Sequence, residues 1–286
     1  MNRKVLVLLC SSLLLLAICS GCTQQPAQSA GDNAAEGNLV LAEQGMFSAG
    51  GVTITSEGVF DPENHWEETG AGQTMHADHA NVFYQVPAEQ SGLPMVFLHG
   101  YGQSRMGWMT TPDGREGWSD MFLKMGHSVY LLDEPRRGEA GSTTVSGEIS
   151  GKTLDQRWYT QFRIGRWENG QSVPYEGSQF PNDPDSVDQF FRQMTPDTGM
   201  RSDMGADFDG EMVAQAVAAA IDEVYERSGQ KSILVTHSQG GRAGWLVPKY
   251  TENVAAIVAI EPGGAPAVDS EEYRIMAEQN IPVAFY

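Results

Sequence analysis

The chain predicts an α/β fold, a mostly parallel sheet with helices on both faces. Three observations carry this. Apolar, β-favouring runs recur at Met95 to Leu98, Ser128 to Leu132, Ile233 to Val235 and Ala255 to Ile260, as expected of strands buried on both sides. Helix-compatible segments alternate with them, at Gly117 to Met125, Val213 to Val224 and Glu271 to Gln279, and such alternation is the mark of a parallel sheet. With 286 residues, 41% of them hydrophobic, the chain can build one large α/β domain or two small ones.

Composition narrows the partners. The formal net charge is −19, which argues against nucleic acid, whose phosphates such a surface repels. It argues equally against electrostatic docking on anionic lipid. An acidic, soluble surface is the plain reading. The three cysteines, Cys10, Cys19 and Cys22, all lie near the start, so no disulfide, thiolate metal site or cysteine nucleophile is expected in the body of the chain.

In order, Arg3 and Lys4 precede a 14-residue apolar run, Val5 to Ile18. A positive start, a short apolar core and small residues after it describe an export signal over residues 1–21. The run falls short of the roughly 20 residues of a membrane span. Cys19-Ser20-Gly21-Cys22 resembles a bacterial lipobox, with Cys22 as the lipidated residue and a membrane anchor. Cys19 stands where leucine is usual, so plain secretion is the alternative. Residues 22–45, rich in Gln, Ala, Ser, Gly and Asn, read as a disordered tether that cannot bury enough apolar surface to order itself. The folded domain is then expected over 46–286.

Val52 to Thr55 alternates like a strand, and Val82 to Val86 does so again before Pro87. Between them, His65, His76 and His79 read as solvated loop histidines. No helix is indicated that would put His76 and His79 on one face, so neither a metal nor any other cofactor is expected. The strand at Met95 to Leu98 ends in His99-Gly100-Tyr101-Gly102, a turn whose backbone amides could face a developing oxyanion. His99 itself reads as structural, bonding to loop backbone. Asp133, at the next strand end, is expected to order its loop by accepting backbone N–H bonds. Gly117 to Met125 should be a helix with Trp118, Met121, Phe122 and Met125 on one apolar face.

Residues 140–204 interrupt the alternation. They are polar and aromatic, and too long for an ordinary loop, so they read as a cap inserted over the sheet, with a capped helix start at Asp185 to Gln189. Asp207 to Glu211 has a calcium-loop flavour but lacks the remaining ligand positions. Acidic residues favouring a helix N-terminus explain it better.

Ser238 then stands between the run Ile233 to Val235 and a helix-compatible segment, followed by Gln239, Gly240 and Gly241. A serine at a strand-to-helix turn with a glycine two places on is the nucleophile elbow, though Thr236 holds the position of its usual first glycine. Glu261 follows the next apolar strand, on the edge where α/β sheets carry their functional groups. A solvated turn residue is the competing reading for it.

Together, Leu98-His99-Gly100, Asp133-x-Pro135-x-x-Gly138, Thr236-His237-Ser238-Gln239-Gly240 and Ile260-Glu261-Pro262 resemble the α/β hydrolases, and more narrowly exported bacterial esterases that use Ser–Glu–His. The aromatic cap, with Gln179-Phe180-Pro181 and Gln193 to Asp197, is similar too. The resemblance runs from about Gly51 to Tyr286. It implies an α/β-hydrolase fold with Ser238 as nucleophile and Glu261 as acid. The backbone amides of Tyr101 and Gln239 would form the oxyanion hole. It also implies a small-molecule ester as substrate, cleaved through an acyl-enzyme. One part of the pattern is missing. All six histidines lie at or before His237, whereas the family's base follows the last strand. The expectation is a C-terminally truncated, inactive sequence lacking that strand, the histidine loop and a closing helix. A non-catalytic, surface-anchored binding lipoprotein on the same scaffold is the competing class. An amidase or C–C hydrolase with the same triad also remains open.

Overall fold

A computed structural model describes residues 38–66, 70–145, 154–199 and 208–286. The expected export signal, Cys22, most of the tether and Asp207 lie outside the described residues. The compact unit is Leu39–Tyr286.

The tether ends earlier than composition suggests. Residues Leu41–Ala49 form strand β1, paired antiparallel with Ala80–Pro87, so the folded domain begins before Met46. The reason is non-local. Leu41, Gly45 and Phe47 half-bury one face only because the partner strand exists, and the Tyr84 hydroxyl donates to the Glu43 carboxylate. Strands β2 (Val52–Thr55) and β3 (Thr74–Ala77) form a separate antiparallel pair. His76 is therefore on a strand rather than in a loop. The chain continues as β4 (Ala80–Pro87), β5 (Met95–Leu98), the short α1 (Met106–Met109), α2 (Trp118–Lys124) and β6 (Val129–Asp133).

The cap follows with α3 (Asp155–Gln161), the hairpin β7 (Gly165–Glu168) and β8 (Gln171–Pro174), and α4 (Pro184–Arg192). The α4 cap is Asp183, two residues before the expected start, and its carboxylate accepts the Ser186 amide at 3.0 Å. The sheet then resumes through α5 (Gly210–Ser228), β9 (Ser232–His237), α6 (Gln239–Gly244), β10 (Val254–Ile260), α7 (Glu271–Glu278) and β11 (Val283–Phe285). Asp209 caps α5 by accepting the Met212 amide, which bears out the helix-start reading of this acidic stretch.

The main sheet has seven strands in the order β1-β4-β6-β5-β9-β10-β11. The β1–β4 and β4–β6 pairs are antiparallel, and from β6 to β11 every pair is parallel. Alternate residues of each strand point to opposite faces, and the core divides accordingly. Val96, Leu98, Tyr130 and Leu132 pack with Val213, Val217, Ile221 and Val224 of α5. Phe97, Val129 and Leu131 pack with Trp108 and with Leu123 of α2. A third cluster lies in the cap and reaches Tyr101.

The apolar face expected on α2 is only partly buried, with Phe122 packed against the core. Ser119 and Leu123 go inside, while Trp118, Met121 and Met125 are 41%, 45% and 62% exposed. A helix of two turns has too few apolar positions to fix its own rotation. Phe122 packs its ring on Phe97 at 5.8 Å, and Trp118 meets Trp108 edge-on at 5.7 Å.

Candidate active site

Ser238 is where the chain turns from β9 into α6. Its backbone, at φ 50° and ψ −118°, lies outside the regions open to L-residues at no cost, a strain on the order of 1–3 kcal/mol. Three backbone bonds hold it there. The Ser238 amide donates to Ile260 O at 3.1 Å, and its carbonyl accepts from Gly241 N at 3.0 Å and Gly263 N at 2.7 Å. The turn fits only because the residue two places on has no side chain. A Cβ on Gly240 would sit 2.3 Å from the His99 carbonyl oxygen.

The loop after β5 lies directly against this turn. A Cβ on Gly100 would be 3.0 Å from Ser238 Cβ. Tyr101 follows in that loop, and Gln239 opens α6 at its first position, where an amide has no acceptor within the helix. The two segments expected to supply oxyanion donors thus flank Ser238. Glu261 leaves the same sheet edge on the neighbouring strand, since Ile260 is in register with His237. It too has positive φ, 41°, and its side chain is exposed.

No imidazole hydrogen-bonds to Ser238, although all six histidines are described. His99 is buried. Its Nδ1 lies 2.9 Å from Gly100 O, and its Nε2 accepts the Glu134 amide at 3.2 Å. Burial lowers its pKa to about 4, so it stays neutral and structural, as expected. His237 is turned to Gln103, with Nδ1 3.0 Å from Oε1. The same oxygen accepts the Gly100 amide at 3.1 Å, which makes Nδ1 the donor. Burial lowers the His237 pKa, against an opposing pull from Glu261.

Two further sets of residues order the loop, and of these only Asp133 was expected from the sequence. Gln103 is the first, joining the loop to the elbow. The second comes from the turn after β6. Asp133 accepts the amides of Arg105 at 2.8 Å and Glu139 at 3.0 Å, as expected of it. The next residues also go inside. Arg137 and Glu134 have side chains 1% exposed and pair at 2.8 Å. Arg137 reaches Asp197 at 3.5 Å, donates to Thr195 O at 3.0 Å and lies 5.0 Å over the Tyr101 ring. Thr195 donates its amide to Gly102 O at 2.8 Å and its hydroxyl to Gln103 O at 2.9 Å. Trp158 stacks on Tyr101 from the cap at 5.3 Å. The visible signal was the i,i+3 spacing of Glu134 and Arg137, which composition alone would place on a surface.

Asp78, in the histidine-rich stretch, accepts from Arg136 at 2.8 Å rather than serving a metal. Among the described residues no group of three or more His, Cys, Asp or Glu could hold a metal ion, and no helix is long and apolar enough to cross a membrane.

Strand order, a strained serine at the turn after β9, beside the central β5, and an inserted cap define the α/β-hydrolase fold. Comparison with known structures agrees. The chain superposes on a bacterial esterase with a TM-score of 0.69 and 25% identity, over 87% of this chain and 76% of that one. By sequence it is 31% identical over 181 residues to a probable secreted lipase, phiG, of Fungal sp. (strain ATCC 74256). That match covers 60% of this chain and 46% of the lipase, so the chain spans less than half of that relative. No family model matches the chain.

Proposed function

We propose that the chain belongs to a serine hydrolase of carboxylic esters, with Ser238 as nucleophile and Glu261 as the acid that orients the base. The amides of Tyr101 and Gln239 are the oxyanion donors. The observation that carries this is Ser238 itself: strain is spent to hold one hydroxyl-bearing residue out of the sheet, beside a loop rich in backbone donors. The names of the two relatives, an esterase and a lipase, support the same reaction.

In this reading Oγ attacks the acyl carbon as its proton passes to a base. The alcohol leaves with that proton, and water then releases the acid and restores Ser238. The six histidines make no hydrogen bond to Ser238, and the reading calls for a base within reach of Oγ. The test is a serine-directed phosphonate applied to the full-length gene product. It should label the protein and fail on Ser238→Ala, and labelling of the alanine variant would remove Ser238 from the role. Parallel assays of an activated ester and the matching anilide separate esterase from amidase. The absent imidazole is the one observation favouring a non-catalytic binding protein, and ester turnover by the full-length product would exclude that reading. Export and lipidation at Cys22 belong to the same proposal. Palmitate incorporation should be lost in Cys22→Ala, and its absence from the unaltered protein would leave plain secretion.

A further inference from the structure

The cap carries a groove of about 560 Å³ between the β7–β8 hairpin and α4, within the range of small-ligand sites. Tyr101, Ser238, Gln239 and Glu261 do not line it. Its apolar wall is Trp167, Val187 and Phe191, and its polar wall is Gln171, Ser172, Asn182 and Asp188. The Trp167 and Phe191 rings lie 6.2 Å apart at 56°, a shallow V that remains half-buried.

The chemistry of these walls selects an occupant. Among the described residues, no lysine, arginine or histidine lines the groove, so none of them offers an anion a counter-charge there. The one charged lining group, Asp188, is already paired with Arg192 at 2.5 Å, which lowers its value to a cation. An alkyl chain would strip water from Asn182, Ser172 and Gln171 without replacing its hydrogen bonds, at a cost of about 1–3 kcal/mol per group. Asn182 Oδ1 already accepts the Tyr159 hydroxyl at 2.5 Å, which leaves its two N–H donors for a ligand acceptor. An aromatic face, electron-rich at its centre, suits a ring of polarised C–H bonds.

We propose that this groove binds a neutral sugar ring. The ring stacks its C–H face on Trp167 and Phe191 and directs its hydroxyls to Asn182, Ser172, Gln171 and Asp188. Trp167 and Phe191 belong to the same packed cluster as Trp158 and Tyr101, so an occupant leans on the residues that hold the loop beside Ser238. The inference needs no catalytic step, and its test is a direct one on the 286-residue chain.

Isothermal calorimetry with cellotriose, xylotriose, maltotriose, octanoate and tetramethylammonium reads it. At least one trisaccharide should saturate with a Kd on the order of 1 mM. Trp167→Ala should weaken it at least about tenfold, a loss of one stacking contact. Gln171→Ala, at the exposed start of β8 and away from the core, should weaken it about threefold. Ser238→Ala should bind as the parent does. If Trp167→Ala fails to fold, Gln171→Ala decides alone, and unchanged binding in it overturns the proposal. So does the absence of saturation by any trisaccharide at about fifty times that Kd, or tighter binding of octanoate or tetramethylammonium. Sugar binding lost in Ser238→Ala but kept in Trp167→Ala would move the ligand to the elbow and overturn it equally.

Discussion

The turn after β9 and the turn after β6 leave the same edge of one sheet, and they are held by different forces. The first is steric. Ser238 sits at φ 50°, and a side chain at Gly240 would strike the His99 carbonyl. The second is electrostatic. Glu134 and Arg137 are buried almost completely, paired with each other and tied to Asp197 and Thr195 of the cap. Steric exclusion fixes a geometry from a handful of neighbouring residues. Buried charge fixes it only when distant partners arrive. The turn at Ser238 is therefore fixed by close backbone contact, while the loop after β5 depends on the cap residues packed against it.

Arg137→Ala should be the most damaging way to break this contrast. It strands Glu134 and Asp197 without their cation, and losing one partner of a buried pair costs about 3–5 kcal/mol. Urea unfolding should show it, and a loss under about 1 kcal/mol would mean that the pair is dispensable.

Next in size is a pair of opposed pH effects where the turn after β6 meets the end of β5, at the Glu134 amide on His99 Nε2. Burial raises the Glu134 carboxyl from 4.5 to about 7. Its contribution is present below pH 4.5 and lost as pH rises through about 7. Burial lowers His99 from 6.5 to about 4. Its contribution is present above pH 6.5 and lost as pH falls through about 4. Each is worth about 3 kcal/mol across its window, so in the parent they largely offset each other. His99→Gln should therefore lose stability relative to the parent as pH rises from 4.5 to 7. Glu134→Gln should lose it as pH falls from 6.5 to 4. Denaturant midpoints measured across that range check both, and slopes of the same sign in the two variants would refute the account.

Gly240→Ala tests the steric side. Overpacking against backbone that cannot move should cost about 1–3 kcal/mol. A neutral result in thermal unfolding would show that the elbow has slack. Thr195→Val is the smallest perturbation. It deletes the hydroxyl bond to Gln103 O and nothing else of similar strength, about 1 kcal/mol. Amide exchange at Tyr101 to Gln103 should quicken while β9 stays protected. Equal protection in both segments would mean that the cap does not hold the loop.

The same contrast explains what could be read in advance. The parallel strands announced themselves, because a strand buried on both faces must be apolar throughout. The elbow was legible because a strained turn admits few residue types. Asp209 was legible as a helix cap, because capping is a contact between near neighbours. Where partners lie far apart in sequence, reading stopped. β1 was taken for tether until Tyr84 and the rest of β4 gave residues 41–45 a ladder. How deeply each α2 side chain is covered depends on Phe97 and Trp108, which only the fold brings against the helix.

By itself the sequence determined the order of strands and helices, the serine at its turn and the carboxylate one strand over. Each rests on local backbone sterics or on apolar runs, which a chain carries wherever it folds. Only the tertiary structure decided which charges go inside and where the His237 ring turns. Arg137 and Glu134 are tolerable in the core only as each other's partners beneath the cap, and His237 is committed to Gln103 rather than to the serine beside it. A long-range pair has no energy until both halves are in place, so no pattern along the chain could have shown it.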